Sequence, residues 1–229
     1  MALEPIEGQP GLFRDSRTGE IVNIRDFREG DKYDVIAVPT GLIANGTEFT
    51  FFQDIQGKRE IDTNIKTPRK LSAGESMVLD RIGLQVRSST GQALPAPADI
   101  KMIVENGFFR LKINDILQDE GPAVKFPSGY GLYGQTVENG QGVVGIGVPA
   151  TASASRLVKK QLLNQNHELD GILRYDARQW LAVAGPTGVA PFAVIANAQI
   201  STNVVVGQNN AATLVACFLH GLIKSAVTK

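Results

Sequence analysis

Short apolar runs that alternate every second residue recur along this chain of 229 residues, with turn signals between them. Examples are YDVIAV (33–38), EFTFF (48–52) and MVLDRIGLQVR (77–87). In the last run Ile82, Leu84 and Val86 fall on one side, and a period of two is the pattern of a half-buried strand. Helical periodicity is scarce, and SRLVKKQLLNQ (155–165) is the main stretch that permits a helical turn or two. Short strands at this spacing predict an all-β, antiparallel sandwich or barrel.

The second half of the chain continues the same pattern. The runs that we predict to be strands there are 143–148, 156–163, 168–175, 179–183, 190–196, 202–207 and 212–223.

A β-hairpin is predicted for IKMIVENGFFRLKI (100–113). Asn-Gly between two alternating apolar runs is a strong hairpin signal, because a type I′ turn needs positive φ at both central residues. With Asn106-Gly107 as the loop, Val104 faces Phe109 and Met102 faces Leu111, so the apolar sides coincide.

The first thirty residues mix charges and glycine with little periodicity. We expect residues 1–30 to be an extended N-terminal arm and residues 31–229 to be the sandwich domain. The arm is too polar for a core of its own but has enough apolar anchors to lie along a partner surface.

The final run, TLVACFLHGLI (213–223), is apolar on both alternating sides. A strand of this kind is covered on both faces, by the arm, by an extra element or by another subunit. We therefore expect an assembling protein. The candidate assembly-interface residues come from the arm and from this strand, and they are Leu12, Phe13, Ile24, Phe27, Phe218 and Leu222.

The stretch GYGLYG (129–134) has the spacing G-x-G-x-x-G of a dinucleotide-binding loop. That pattern has meaning where it follows a buried strand and opens a helix. Here Pro127 and Ser128 precede it, and a glycine-rich segment with an Asn-Gly turn follows. We interpret the match as accidental, predict no cofactor, and assign the glycines to tight bends and close backbone approaches.

No catalytic, cofactor or metal residues are assigned from the sequence. His167 and His220 are the two histidines, and Cys217 is the single cysteine. We interpret His167 as a surface residue, and His220 and Cys217 as structural residues in an apolar strand. Asp115, Asp119 and Glu120 offer oxygen ligands for calcium, but their spacing is not that of an EF-hand, which favours a solvated turn.

Acidic and basic residues balance at 23 each, whereas proteins that bind nucleic acid usually have a basic excess. The sequence MALEPIEGQPGLF at the start has no basic segment followed by an apolar one, so we expect no signal peptide. The longest apolar run covers 12 residues, fewer than the roughly 18–20 that a transmembrane helix needs.

Three stretches give the chain a resemblance to the jelly-roll virion proteins of bacteriophages. They are IDTNIKTPRKLSAGESMVLDRIGLQV (61–86), FFRLKINDILQDEGPAVKFPSGYGLYG (108–134) and NVVVGQNNAATLVACFLHGLI (203–223), and their order carries the resemblance. The resemblance implies an antiparallel jelly-roll sandwich that assembles in many copies as a capsid shell protein, without catalytic residues. Its implied partners are further copies of itself and other capsid proteins, with no specific nucleic-acid sequence. Its implied location is the virion, after synthesis in the host cytoplasm.

Two other classes share the sandwich. A carbohydrate-binding jelly roll, as in a tail fibre or lectin, would display aromatic residues near its loops, and Trp180, Tyr130 and Tyr133 are the candidates. An enzyme of the cupin type would need a close pair of histidines with an acid, and His167 and His220 are far apart in the sequence.

Overall fold

The structure is a computed structural model, and the part of the chain that it describes is antiparallel β-structure. The described residues are 3–16, 19–38, 41–42, 45–87, 103–104, 106–128, 136–137, 143–144, 154–175, 199–200 and 213–225.

Two short 3₁₀ helices, Ile24–Asp26 and Ala123–Lys125, interrupt the strands of the described residues. The strands are β1 (Leu3–Pro5), β2 (Leu12–Asp15), β3 (Ile21–Asn23), β4 (Arg28–Val38), β5 (Gly41–Leu42), β6 (Glu48–Phe51), β7 (Ser76–Arg87), β8 (Gly107–Ile113), β9 (Ile116–Pro122), β10 (Thr136–Val137), β11 (Val143–Val144), β12 (Ser155–Asn164), β13 (Leu169–Tyr175), β14 (Gln199–Ile200) and β15 (Thr213–Lys224).

Eight of these strands form two four-stranded sheets. Sheet 1 has the order β12-β7-β15-β4, and sheet 2 has the order β6-β13-β8-β9. β15 is an inner strand of sheet 1, and it pairs with β4 along one edge and with β7 along the other. The predicted all-β, antiparallel class is confirmed.

The hydrophobic core lies between the two sheets. Val215, Cys217 and Leu219 of sheet 1 belong to the same buried cluster as Phe109 and Leu111 of sheet 2. Alternate residues along each strand supply this core because successive side chains point to opposite faces. In β8 the alternation is complete: Gly107, Phe109, Leu111 and Ile113 are buried and the residues between them are half-buried.

The N-terminal residues do not form an extended arm in this structure. β1, β2 and β3 make a three-stranded antiparallel meander, and β4 already begins at Arg28, inside the segment predicted to be an arm. The meander packs on the outer face of sheet 1, where Leu3 and Val22 contact Val78 and Leu162.

The hairpin predicted at Asn106-Gly107 is wrong. Ile103, Val104 and Asn106 are helical, and Gly107 begins β8 without a positive φ. The true hairpin joins β8 to β9 through Asn114 and Asp115, whose φ angles are +50° and +61°. Positive φ at both residues of a two-residue loop is the geometry of a type I′ turn.

The strands predicted at 33–38, 48–52, 77–87, 156–163, 168–175 and 212–223 are present. The stretch that permitted a helical turn, residues 155–165, is the extended strand β12 instead. The predictions for 179–183, 190–196 and 202–207 lie outside the described residues. Within the described ranges, no helix has the length and apolar character that crossing a membrane requires.

Candidate functional site

The outer face of sheet 1 is the face turned away from the main core. It carries two further buried clusters and a cavity. The prediction that β15 is covered on both faces is confirmed there. Its inner side, which includes Val215 and Cys217, lies in the main core, and its outer side lies in two smaller clusters.

Phe218, one of the candidate assembly residues, is covered within its own chain. It is 5% exposed and packs against Val35 and Ala216. The Tyr33 ring lies 5.8 Å from the Phe218 ring, and the Arg87 guanidinium lies 5.2 Å above it, a cation–π distance. Residues of the same chain therefore bury this part of the outer face.

The N-terminal meander covers the second part of the outer face of β15. Phe13, Phe27 and Leu222, which are candidate assembly residues, pack as half-buried side chains around Val78 and Leu162. The other two candidates, Leu12 and Ile24, are also half-buried. Leu222 is thus covered by residues of its own chain. The sequence had left open whether the arm, an extra element or another subunit covers it.

Exposed apolar side chains lie elsewhere, and sequence reasoning missed them. In the described part of the chain, the large hydrophobic residues that are exposed are Ile21, Ile61, Ile116, Leu117, Val124 and Val158. Half of them belong to β9 and the 3₁₀ helix after it, at the outer edge of sheet 2. The period-two pattern could not show this, because an edge strand and a central strand have the same alternation.

A cavity of about 560 Å³ opens on the same outer face, and its lining residues all belong to strands of sheet 1. β4, β7, β12 and β15 all contribute to its wall. The lining residues are Glu29, Gly30, Asp31, Val78, Asp80, Arg81, Lys160, His220, Gly221 and Leu222.

A β-bulge at Asp80 shapes this cavity. His220 pairs with Arg81 and Gly221 pairs with Leu79, so Asp80 has no partner residue in β15. A bulge re-aims the side chains around it. The Asp80 carboxylate lies 3.3 Å from Arg81 Nε and 3.8 Å from Lys160 Nζ. A side chain at Gly221 is excluded, because its Cβ would lie 2.0 Å from the carbonyl oxygen of Val78.

His220 occupies the centre of the wall and contacts two separate parts of the chain. Its Nδ1 lies 2.9 Å from Oδ1 of Asp31 on β4, and its Nε2 lies 3.1 Å from the carbonyl oxygen of Ser128. The ring stacks on Phe218 with an interplanar angle of 9°. The interpretation of His220 as a hydrogen-bonded structural residue agrees with these contacts. The interpretation of His167 as a surface residue is wrong, because His167 is buried at 7% exposure and its Nδ1 accepts a hydrogen bond from the Asn164 N–H.

The segment Phe126–Ser128 reaches the outer face by crossing β7. The Leu84 N–H donates to the carbonyl oxygen of Phe126 over 2.7 Å. The backbone of Ser128 then passes directly over Gly83, where a Cβ would lie 2.6 Å from Cα of Ser128. Gly83 is therefore a close-approach glycine of the kind that the sequence suggested for the stretch downstream.

The stretch GYGLYG itself lies outside the described residues. Beyond it, β10 and β11 pair as short antiparallel strands, with Thr136 opposite Val144. The described residues after the glycine pattern are therefore extended, whereas the dinucleotide-binding arrangement has a helix there.

A buried acid lies on the inner side of β4, where Thr63 forms an isolated bridge with the edge of that strand. Asp34 is fully buried, accepts a hydrogen bond from the Phe52 N–H at 2.7 Å, and pairs with Lys58 Nζ at 2.8 Å. Lys32 pairs with Glu75 at 2.9 Å on the same strand face. Burial by itself raises the pKa of Glu75, but the hydrogen bond and the charge of Lys32 outweigh it, so that this pKa is lowered overall. These pairs attach the loop between β6 and β7 to sheet 1.

The acids that offered calcium ligands do not converge. Asp115 lies in the β8–β9 turn, Asp119 pairs with Lys125, and Glu120 lies 3.3 Å from Arg110 Nε. Among the described residues, no group of three or more histidine, cysteine or acidic side chains is arranged to hold a metal ion.

Comparison with known proteins gives no relative. No protein-family model, no curated protein and no solved structure matches the chain.

Proposed function

We propose that the chain is a jelly-roll protein that assembles in many copies as the shell of a bacteriophage particle. The observation that carries the proposal is the pairing of the eight strands that form the two four-stranded sheets. In chain order, the first pairs with the eighth (β4 and β15), the second with the seventh (β6 and β13), the third with the sixth (β7 and β12), and the fourth with the fifth (β8 and β9).

That nesting supports a jelly roll, because rolling up one long hairpin of four strand pairs produces these two sheet orders. Viral shell proteins, lectins and cupins share the architecture. The fold alone therefore does not choose a function, and the resemblance of the three sequence stretches to virion proteins favours the shell.

The exposed edge of sheet 2 supports assembly. Ile116 and Leu117 on β9 are 54% and 46% exposed, and Val124 follows them in the 3₁₀ helix. Exposed apolar residues along the edge strand of a sheet are a typical contact surface for another chain. We therefore propose the residues Ile116, Leu117 and Val124, the β9 edge, as assembly contacts in place of Phe13, Phe27, Phe218 and Leu222, which pack within their own chain.

The experiment is to measure the size of the purified chain by sedimentation and electron microscopy. We expect large closed assemblies. A chain that stays monomeric at high concentration would contradict the shell and leave a binding module, and sugar-array binding by that monomer would identify the carbohydrate-binding alternative.

Matched variants locate the contact. Leu117→Asp should keep the folded β-sheet signal in circular dichroism and reduce assembly. Ile61→Asp serves as the control, because Ile61 is similarly exposed but lies in the loop between β6 and β7. Equal assembly by both variants would remove the β9 edge from the proposal. Leu222→Asp should instead lower stability, because Leu222 packs within its own chain.

A further inference from the structure

We propose that His220 is a proton-dependent link that fastens the segment after β9 to the outer face of sheet 1. The proposal is independent of the shell function, since it depends on contacts within one chain.

Both ring nitrogens of His220 face acceptors. Asp31 Oδ1, 2.9 Å from Nδ1, belongs to a carboxylate, and the oxygen of Ser128, 3.1 Å from Nε2, belongs to a backbone carbonyl. A neutral imidazole has one N–H and one acceptor nitrogen, whereas the imidazolium has two N–H groups. Only the charged ring donates to both partners at once.

When the imidazolium of His220 loses a proton, the contact with Asp31 and the contact with Ser128 respond differently. The remaining N–H stays on Nδ1, where the carboxylate makes the stronger, charge-assisted hydrogen bond. The lone pair of Nε2 then faces the lone pairs of the Ser128 oxygen at 3.1 Å, and that contact becomes repulsive. The hydrogen bond between His220 and Ser128 is lost, while the link between β15 and β4 is kept.

The charged residues of the cavity wall come from the three strands of sheet 1 other than β15. β4 contributes Asp31 and Glu29, β7 contributes Asp80 and Arg81, and β12 contributes Lys160. Three carboxylates therefore share the cavity wall with two cations, and Asp80 pairs with both cations. Phe218, stacked on the other side, adds a π-face that also attracts a cation.

The second histidine has the opposite arrangement. The N–H of Asn164 donates to Nδ1 of His167 over 3.1 Å, so that nitrogen has to be unprotonated. Protonation of His167 breaks its contact, and protonation of His220 completes two. The chain thus contains its own control for effects of pH, which histidine senses between about pH 5 and 8.

The first experiment compares denaturation midpoints of the parent chain, His220→Gln and His167→Gln at several pH values. The imidazolium can donate to both partners and the neutral ring to only one, so the proposal predicts that His220 contributes more stability at low pH. We therefore expect the midpoint gap between the parent and His220→Gln to widen from about pH 8 to about pH 5.5. The gap for His167→Gln should narrow over the same range. A constant or narrowing gap for His220→Gln would overturn the link.

The second experiment needs no variant that might misfold. Ring-nitrogen NMR of the histidine-labelled parent chain, in solution or in the solid state, should show protons on both nitrogens of His220 at about pH 6 and on one nitrogen of His167. Hydrogen exchange at the Leu84 amide, which the segment before Ser128 protects, should accelerate as His220 loses its proton. A single proton on His220 down to about pH 5.5, or exchange that ignores its titration, would overturn the proposal.

Discussion

At the scale of single residues, the position of Cys217 in β15 determines the reactivity of its thiol. It lies on the inner side of β15, directly opposite Asp34 of β4, and is fully buried. Burial, with the nearby Asp34 carboxylate as a second cause, raises the pKa of the Cys217 thiol well above its ordinary value. The thiolate is the reactive form, so the folded chain suppresses the reactivity of its only cysteine.

We predict that a thiol reagent labels Cys217 no faster than the protein unfolds. The measurement is the labelling rate at about pH 8 with and without denaturant, followed by mass spectrometry. The denatured chain, which exposes the same thiol, is the control. Labelling of the native chain at the rate of the denatured chain would show that β15 is not buried as described.

The residue-level predictions from the sequence were good where periodicity determines the outcome. The two sides assigned to the last run, with Val215 and Cys217 on one and Phe218 and Leu222 on the other, are the two faces of β15. The same reasoning could not identify what covers the outer face, because that depends on which distant segment packs there. The contacts of His220 with Asp31 and Ser128, 189 and 92 positions away, have no local signal in the sequence.

At the scale of elements, turn chemistry decided which prediction failed. The sequence predicted the turn at Asn106-Gly107, whereas the turn of the structure lies at Asn114-Asp115, a pair without glycine. Asn and Asp tolerate positive φ, so Asn-Asp forms the turn without a glycine. Gly107 is instead the first residue of β8 and is closely packed, since a Cβ there would lie 2.5 Å from the carbonyl oxygen of Ile103 and 3.1 Å from Cβ of Ala123.

The crossing of β7 by Phe126–Ser128 gives an element-scale prediction. Gly83→Ala places a methyl group against the Ser128 backbone, which cannot rotate away as a side chain can, and we expect a loss of about 1–3 kcal/mol in the free energy of unfolding. Chemical denaturation measures it.

Gly30→Ala is the matched control, because Gly30 also lies in a strand of sheet 1. The nearest atom to its added Cβ is Cδ1 of Ile223 at 3.0 Å, the far end of a flexible side chain. We expect a smaller loss there. Equal losses for the two variants would mean that the crossing does not constrain Gly83.

At the scale of the whole molecule, the N-terminal meander belongs to the folded body. It covers Val78 and Leu162, which are almost fully buried on the outer face of sheet 1. A chain that begins at Phe27 keeps all eight strands of the two sheets. We predict that it folds with its β-sheet circular dichroism intact but loses several kcal/mol of stability, at about 1.5–3 kcal/mol for each large apolar side chain uncovered.

Two neighbouring residues of the meander test whether its packing against sheet 1 is what stabilises the chain. Val22 is 5% exposed and faces sheet 1, whereas Ile21 is 57% exposed. Val22→Asp should reproduce most of the destabilisation of the truncated chain, and Ile21→Asp should unfold at the midpoint of the parent. An unchanged midpoint for Val22→Asp would show that the meander is detached in solution.

The position of β15 also governs the order in which the molecule becomes complete during synthesis. β4 has no partner in sheet 1 other than β15, and the two are separated by every other long strand of the chain. The ribosome therefore releases β4 long before its partner exists, with neither edge paired to a strand of sheet 1 and with apolar residues uncovered. Pairings across such sequence distances form slowly, and unpaired edges invite aggregation meanwhile. We expect this chain to depend on chaperones, or on low concentration, until its last strand has been made.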